Sequence, residues 1–458
     1  MHGTIAADVP PPATQDGHAA AGAQPWPSPR KAWYAMAILA LALMFAELDR
    51  GVFFLLIEPI KHDFALSDLE MSFLMGPAVV IFYAVIGLPM ARLVDRYPRN
   101  LVLSIGVVIW SGMTALMGVV QNYAQFIGTR VLVGGGGTVH GPGTYSMMAD
   151  YFPPAKLPRA IAVLQVGFIG GMGISMLLGG AVIGFALGLP ESHVAGLVIR
   201  PWQYVFLMVG LPGLVIALLI RMLHEPARRG SMANAGRRSI PVRDVLREIW
   251  RRRGVYGPLF LGLALSAAEA SGIAAWRAAM VQRTYGWAPP QIGYWSGVTT
   301  LIAAPLGLLL GAWLTERLGR RHRDAPLRTS AIVFLLSTPF AIAGPLMPTA
   351  PLAIIVGSFT GLFGLAASVP QNTALQRVTP NQMRGQVTAL YLFMFTVIGG
   401  GLGSPMIIMV EKLLGGEAML RYAMALTGGV VLPLSALAFM AGWKAYAREV
   451  EALEAQGL

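Results

Sequence analysis

Long apolar stretches separated by short polar ones run from about residue 33 to residue 443 of this chain. A helix needs roughly 20 mainly apolar residues to cross a bilayer. Twelve stretches qualify, near 33–60, 68–92, 100–120, 123–150, 160–188, 202–223, 255–281, 290–316, 328–347, 351–376, 386–411 and 418–443. Glycine and proline recur inside them, which membrane helices tolerate when neighbours re-satisfy the backbone. The pattern predicts an all-α membrane protein of twelve transmembrane helices.

Polar residues that interrupt this pattern carry the most information. The first stretch contains AELDRGVFFLLIEPI at 46–60, with Glu47, Asp49 and Arg50 within four positions. A charge at a helix centre costs about 2.5–3.5 kcal/mol on insertion scales, against roughly 0.3–0.6 gained per large apolar residue. Such a segment is tolerable only where its charges face a polar cavity or one another. Glu47 and Arg50 share a helical face and can pair. Asp49 points elsewhere, and its natural partner is the buried Arg130 of the fourth stretch. An arginine fork binds carboxylate or phosphate through two parallel bonds. Gly134 and Gly137 follow Arg130 on its face, where a neighbouring backbone or a ligand can come close. The expectation is a cluster of Asp49, Arg50 and Arg130, supported by Glu47, beside a central cavity. There a proton on Asp49 or an anionic head group would release the arginines. The alternative is a static pair that fixes helix packing.

Charge distribution orients the chain. With both termini on one side, 26 of the 34 Lys and Arg residues fall in loops on that side, five on the other and three (Arg50, Arg130, Arg277) within spans. That asymmetry predicts cytoplasmic termini. The net charge of +12 is spread through short loops, so it suits membrane topology and not nucleic-acid binding. Cysteine is absent, which excludes disulfides and thiolate metal sites. Arginine outnumbers lysine 29 to 5 in an Ala- and Gly-rich chain, a composition of GC-rich bacterial genomes; the expected location is a bacterial inner membrane.

The chain divides into a Pro- and Ala-rich tail (1–30), a first half (31–223), a basic linker (224–254), a second half (255–447) and a tail (448–458). The 1–30 tail lacks an apolar run, so it reads as a disordered cytoplasmic segment and not a signal peptide. In the linker, Val242, Val245, Leu246, Ile249 and Trp250 share one helical face with arginines opposite. That is the pattern of a helix on an anionic leaflet, or of a solvated basic linker. The halves echo each other. ARLVDRYPRN (91–100) follows the second span and AWLTERLGRR (312–321) the eighth, aligning Asp95, Arg96 and Arg99 with Glu316, Arg317 and Arg320. PPAKLPRA (153–160) and TPNQMRG (379–385) follow the fourth and tenth, each a proline and then an arginine opening the next span, Arg159 in the first case. Matched signals at matched places indicate a parallel six-plus-six repeat.

Twelve spans, a basic central loop and the acid–Arg–x–x–Arg loop resemble the major facilitator superfamily. Arg130-Val-Leu-Val-Gly134 matches that family's fourth-span pattern, while its loop glycines are replaced by Ala91 and Pro98 in the first copy. The resemblance implies two six-helix bundles, a loop acid against a helix N-terminus, and a loop arginine paired with an acid at the end of span 4. Asp150 stands in that place, and such contacts would latch the halves on the cytoplasmic face. Finer likeness is to the Spinster branch, carriers of lysophospholipids and sphingosine-1-phosphate-like lipids. It rests on Asp49-Arg50, Arg130-Val-Leu-Val-Gly-Gly-Gly, Gly141-Pro142 and Asp150-Tyr-Phe-Pro-Pro. This chain departs from it at Ala46-Glu47, where the branch has Asn-Tyr, and at Gly137, where it has Glu.

Other buried polar positions extend the list. Glu269 is a lone intramembrane acid, either a second proton site or a group facing a water-filled cavity. Trp276 and Arg277 close an outer gate, contact a head group, or snorkel to the interface. His140 titrates or bonds a neighbouring helix. Gln371 and Asn372 line the cavity or bridge helices. GGGG at 134–137 lacks the Gly-Lys-Ser/Thr of a phosphate loop, and no ATPase motif occurs.

The expected function is a secondary active transporter, not an enzyme, without cofactor or metal. It moves an amphiphilic lipid by alternating access with proton coupling. Its partners are that substrate, protons and membrane lipids, not nucleic acid, and it is expected as a monomer. Competing readings are a proton-driven multidrug exporter and a non-transporting membrane receptor or scaffold.

Overall fold

A computed structural model describes residues 26–137, 140–194, 196–228, 241–380 and 382–455, without the side chains of 82–84, 87, 88, 91, 92, 95, 142 and 194. Most of the 1–30 tail, linker residues 229–240, the last three residues and the Asp95 side chain therefore lie outside the described residues.

The first crossing is α1 (Pro29–Leu55), continued by the short α2 (Ile57–Phe64). Its C-terminus turns on Ala65, in the left-handed region with φ 49°. Ser67 then caps α3 (Asp68–Met75): the Glu70 amide donates to Ser67 Oγ (3.3 Å) while the Ser67 amide donates to Glu70 Oε2 (2.8 Å). That reciprocal box satisfies two orphan donors at a helix start. The second crossing resumes after Gly76 as α4 (Pro77–Arg96), and α5 (Arg99–Met117) forms the third. The fourth is split into α6 (Tyr123–Gly137) and α7 (His140–Tyr151). Then come α8 (Leu157–Ala186), a small hairpin of β1 (Ser192–Val194) and antiparallel β2 (Leu197–Ile199), and α9 (Pro201–Arg221).

Beyond the linker helix α10 (Val242–Arg251), the second half consists of α11 (Arg253–Tyr285), α12 (Pro289–Gly319), α13 (Ala325–Leu346) and α14 (Ala350–Val378), then α15 (Arg384–Met394) and α16 (Gly401–Leu414), and finally α17 (Leu420–Ala455). A π-helical turn, Phe395–Gly400, joins α15 to α16. Proline opens many of these helices, where its missing N–H costs nothing. Nine helical runs among the described residues are long and apolar enough to cross a membrane on hydropathy alone. The other three crossings are α1, the broken α3–α4 pair and the broken α6–α7 pair. The result is twelve crossings in two six-helix bundles.

Within the first half α5 packs on α9 and α6, and α1 on α8; within the second, α13 packs on α14 and α17, and α11 on α17. The halves meet chiefly along α8 and α12. There Gly180 and Gly293 face each other so closely that a Cβ on Gly293 would sit 2.8 Å from the Gly180 Cα. A second close approach sets Gly76 against the Gly400 carbonyl of the π-turn, where a Cβ would lie 2.5 Å away. Only glycine admits helices at such separation.

The apolar core shows where the halves are joined. One cluster fills the first half and continues into Trp276, Met280, Ile292, Ile354, Ile407 and Met424 of the second. A separate cluster, including Leu259, Phe334, Phe439 and Tyr446, fills the other end of the second half. Continuity thus exists at the face carrying residues 56–67 and 283–289. At the opposite face, which carries both chain ends, the two cores are distinct.

Linker helix α10 forms where the amphipathic pattern predicted a helix, but its apolar stripe is divided. Val245 and Ile249 dock on the second half. Val242, Leu246 and Trp250 stay exposed, Trp250 by 73%. Arg252 tethers the helix by pairing with Glu248 (2.6 Å) and with Glu449 of α17.

Candidate functional site

Asp49 and Phe53 lie one turn apart on α1, and Phe126 and Arg130 one turn apart on α6. The two faces meet: the phenyl rings stack at 6.1 Å between centroids, and Arg130 Nη1 stands 3.8 Å from Asp49 Oδ2. Both charged residues are 4% exposed. The guanidinium also lies over the Phe53 ring, 3.8 Å from Cζ to the centroid, a cation–π contact that strengthens when desolvated. Thr114 Oγ1 of α5 donates to Asp49 Oδ1 at 2.9 Å.

This ion pair is loose. At 3.8 Å it exceeds hydrogen-bond range, and Arg130 Nε and Nη1 are buried without a hydrogen-bond partner among the described residues. Gly134 is closed off by the Val79 backbone of α4, whereas a Cβ at Gly137 would meet open space. A buried arginine with unfilled donors is suited to receiving an anion; the open space at Gly137 lies two turns further along the same helix.

Arg50 and Glu47 do not join this cluster by contact, contrary to the sequence expectation. Arg50 Nη1 pairs with Glu47 Oε1 at 3.2 Å, and the arginine side chain is 62% exposed. The reason is helical phase: positions 47 and 50 share a face, while position 49 is turned about 100° from position 50 and about 160° from position 47.

The remaining candidates disperse. His140 is buried with both ring nitrogens unpartnered, so it makes no bond to a neighbouring helix among the described residues. Trp276 is fully buried and donates from Nε1 to Ser404 Oγ at 2.8 Å, bracing α11 against α16 inside the second half. Gln371 accepts from Tyr391 (3.4 Å) and bridges α14 to α15, while exposed Asn372 donates back to its own helix at the Ser368 carbonyl. Glu269 and Arg277 line one cavity of the second half.

On the face of the chain ends, Arg99 is 2% exposed and fully engaged. It pairs with Asp150 at the end of α7, donates from Nε to Glu225 Oε1 (2.8 Å), and reaches the Ser146 (3.0 Å) and Pro226 (3.1 Å) carbonyls. The loop arginine therefore meets the span-4 acid. The described partners belong to the first half and to the start of the linker that leaves it, so this contact braces one bundle and does not latch the two together. Arg96 and Arg159 are exposed. In the second copy, Glu316 and Arg320 form an exposed pair at 3.1 Å, and Arg317 lies over the Trp313 ring.

On the other face stands a network that sequence reading missed, having counted Arg283 only as a loop cation. Arg283 grips Asp68 bidentately (both 2.7 Å), bonds Glu58 through Nε (2.9 Å) and reaches Glu411 (3.5 Å). Lys61 pairs with Asp68 (2.8 Å) and Glu417 (2.6 Å). Gln282 adds a bond to the Leu55 carbonyl at 3.2 Å. Glu58, Lys61 and Asp68 come from the first half; Arg283, Glu411 and Glu417 come from the second. The only advance signal was that six charges fall at span ends on one side.

Comparison with known proteins agrees with this architecture. Residues 39–404 match the Major Facilitator Superfamily. An MFS-type efflux pump of Mycolicibacterium smegmatis is 26% identical over 429 residues, covering 92% of this chain and 95% of that protein. Drosophila melanogaster protein spinster is 22% identical over 317 residues, 68% of this chain and half of that one. Among solved structures, a bacterial homologue of the human lysosomal transporter Spinster, inward-facing and unoccupied, superposes with a TM-score of 0.76 at 24% identity. It covers 93% of this chain and 98% of its own. The chain belongs to the Major Facilitator Superfamily of membrane transporters, and its relatives and fold neighbours include Spinster proteins.

Proposed function

We propose that the chain is a secondary active transporter of the Spinster type, moving an amphiphilic lipid with an anionic or zwitterionic head across a bacterial inner membrane. Lysophospholipids and sphingosine-1-phosphate-like lipids are the substrate class. The termini are cytoplasmic, the Arg283 network is the outer gate, and the two halves rock about a midplane site. One observation carries this reading: the loose Asp49–Arg130 pair, whose guanidinium has two buried donor atoms without a partner among the described residues.

The mechanism follows from that geometry. With Asp49 ionised, the pair neutralises itself inside the membrane. A phosphate head that engages Arg130 bidentately removes the cation from Asp49, leaving an uncompensated buried carboxylate. Protonation of Asp49 relieves that cost, so anion and proton binding favour each other. Since Gly137 stands where the Spinster pattern has Glu, Asp49 is the acid that bears the exchange at this end of the cavity. The lipid tail would lie along the apolar wall of the second half.

A second reading, a proton-driven exporter of drug-like molecules, is favoured by the efflux-pump relative. Flux into proteoliposomes, with and without a pH gradient, separates the two. Lysolipid should be carried and ethidium-type cations not, and Asp49→Asn should abolish the pH dependence while the protein still folds. Gradient-driven lysolipid flux that survives Asp49→Asn unchanged would overturn proton coupling at Asp49.

A further inference from the structure

The second half contains a buried acid that this mechanism does not use. Glu269 of α11 is 2% exposed, and its Oε1 has no hydrogen-bond partner. It lines a small cavity of about 20 Å³ between α11, α13, α14 and α17, space for a water molecule. Two further residues with polar oxygens line the same cavity. Thr360 Oγ1 of α14 is buried without a partner among the described residues. The carbonyl of Ala341 in α13 lacks its usual helical donor, because the residue four places on is Pro345, which has no N–H. Apolar side chains, Ile273, Met280, Phe340 and Met424, close the walls. The one other charged group lining the cavity is Arg277, two turns along α11; α13, α14 and α17 contribute none.

Two unpartnered side-chain oxygens and a carbonyl without its helical donor, on residues around one small cavity, call for a small ligand that brings positive charge or donor hydrogens. A metal cation fits poorly: hard cations take six or more oxygens, and Arg277 shares the cavity. We propose that this cavity is a second proton-binding site of the transporter, in which Glu269 carries the proton and a water bridges it to Thr360 and the Ala341 carbonyl. A proton leaves Glu269 as hydronium through that water and returns by the same route, so charge and atoms balance without another reactant. The site sits wholly in the second half, apart from Asp49 in the first. It rests on the transporter reading only in that the bound proton is cargo, and is independent of lipid as the substrate.

Infrared difference spectra of the purified full chain in lipid vesicles, taken between acid and alkaline buffer, test this without any substrate. The wild type should show a protonated-carboxyl carbonyl band that disappears on alkalinisation. Glu269→Gln should remove that band and Asp49→Asn should retain it. Thr360→Val, which preserves shape, should shift its frequency and its midpoint, and it serves where Glu269→Gln does not fold. A band unchanged in both Glu269→Gln and Thr360→Val would overturn the assignment. Displacement of the band by sodium chloride at constant pH would overturn the proton as the ligand, making the site a sodium site. Loss of the band in Asp49→Asn alone would place the titrating proton in the first half and sink this proposal while sparing the earlier one.

Discussion

The two faces of the molecule hold comparable clusters of buried charge and use them differently. Around Arg283, carboxylates and a lysine arrive from both halves, and the contacts cross the interface. Around Arg99, the described partners come from the first half and the linker residues that leave it, and none from the second. An arginine that collects acids from both bundles can hold them together. One that collects acids from a single bundle can only stiffen it. The apolar core tells the same story, continuous beneath Arg283 and divided at the other face. Opening at the Arg283 face must therefore break ion pairs and separate packed core, which is what supports the proposed gate there. Closure also has an electrostatic cost. With all six groups ionised, Glu58, Lys61 and Asp68 bring a net −1 from the first half, and Arg283, Glu411 and Glu417 a net −1 from the second. The interdigitated pairing is what offsets this repulsion.

The contrast breaks most sharply at Arg283. Removing one partner of a buried pair costs on the order of 3–5 kcal/mol. Because Arg283 keeps a little solvent access, Arg283→Ala should lose about 3 kcal/mol of gate stability, roughly a hundredfold in population. Spin labels on exposed His62 and Leu413 should move apart; unchanged distances would show that packing alone holds this face shut. Overpacking at the α8–α12 crossing comes next. Gly293→Leu should cost about 1–3 kcal/mol of closed state and widen the same label distance, with the Arg283 network left chemically intact.

Arg99→Ala should act on the other side of the comparison. It takes the arginine away from Asp150 and Glu225, both of which keep some access to water, and should lower the stability of the protein by about 2 kcal/mol, less than for a fully buried pair, while the His62–Leu413 distance stays as in the wild type. A shift in that distance would mean that the first bundle's bracing feeds the gate. The smallest effect is expected at the linker. The hydrogen bond from Arg251, with the charge of Arg252 beside it, holds the Glu248 carboxyl below the usual carboxylate range. A depressed acid stabilises above its ordinary pKa and loses that contribution as pH falls through the lowered value. Proteolytic protection of α10 should therefore decline under acid conditions in the wild type, and Glu248→Gln should flatten that dependence. The pair is near the surface, so the change should be slight.

Much of the site was legible because membrane insertion penalises charge so heavily. Asp49 and Arg130 stood out as residues that only each other's company could justify, and the structure sets them 3.8 Å apart. Helical phase alone separated Glu47–Arg50 from Asp49, yet the reading drew Arg50 into the central cluster; its exposure shows otherwise. Trp276, read with Arg277 as open to a gate, a head-group or an interfacial role, is a packing brace against Ser404, since a tryptophan at the end of a span looks the same whichever neighbour its N–H finds.

Order along the chain, the count of crossings and their doubled layout follow from the sequence by itself, because apolar length and loop charge are local properties that the bilayer reads directly. Which charges meet was decided only in three dimensions. Glu58, Asp68, Arg283 and Glu411 lie up to 353 positions apart, and nothing local distinguishes an outer-loop arginine that stays solvated from one that gathers acids out of both bundles. The orphaned oxygens around Glu269 are likewise a product of tertiary packing. They depend on four helices closing around a void too small for a side chain, and no periodicity in the chain encodes that.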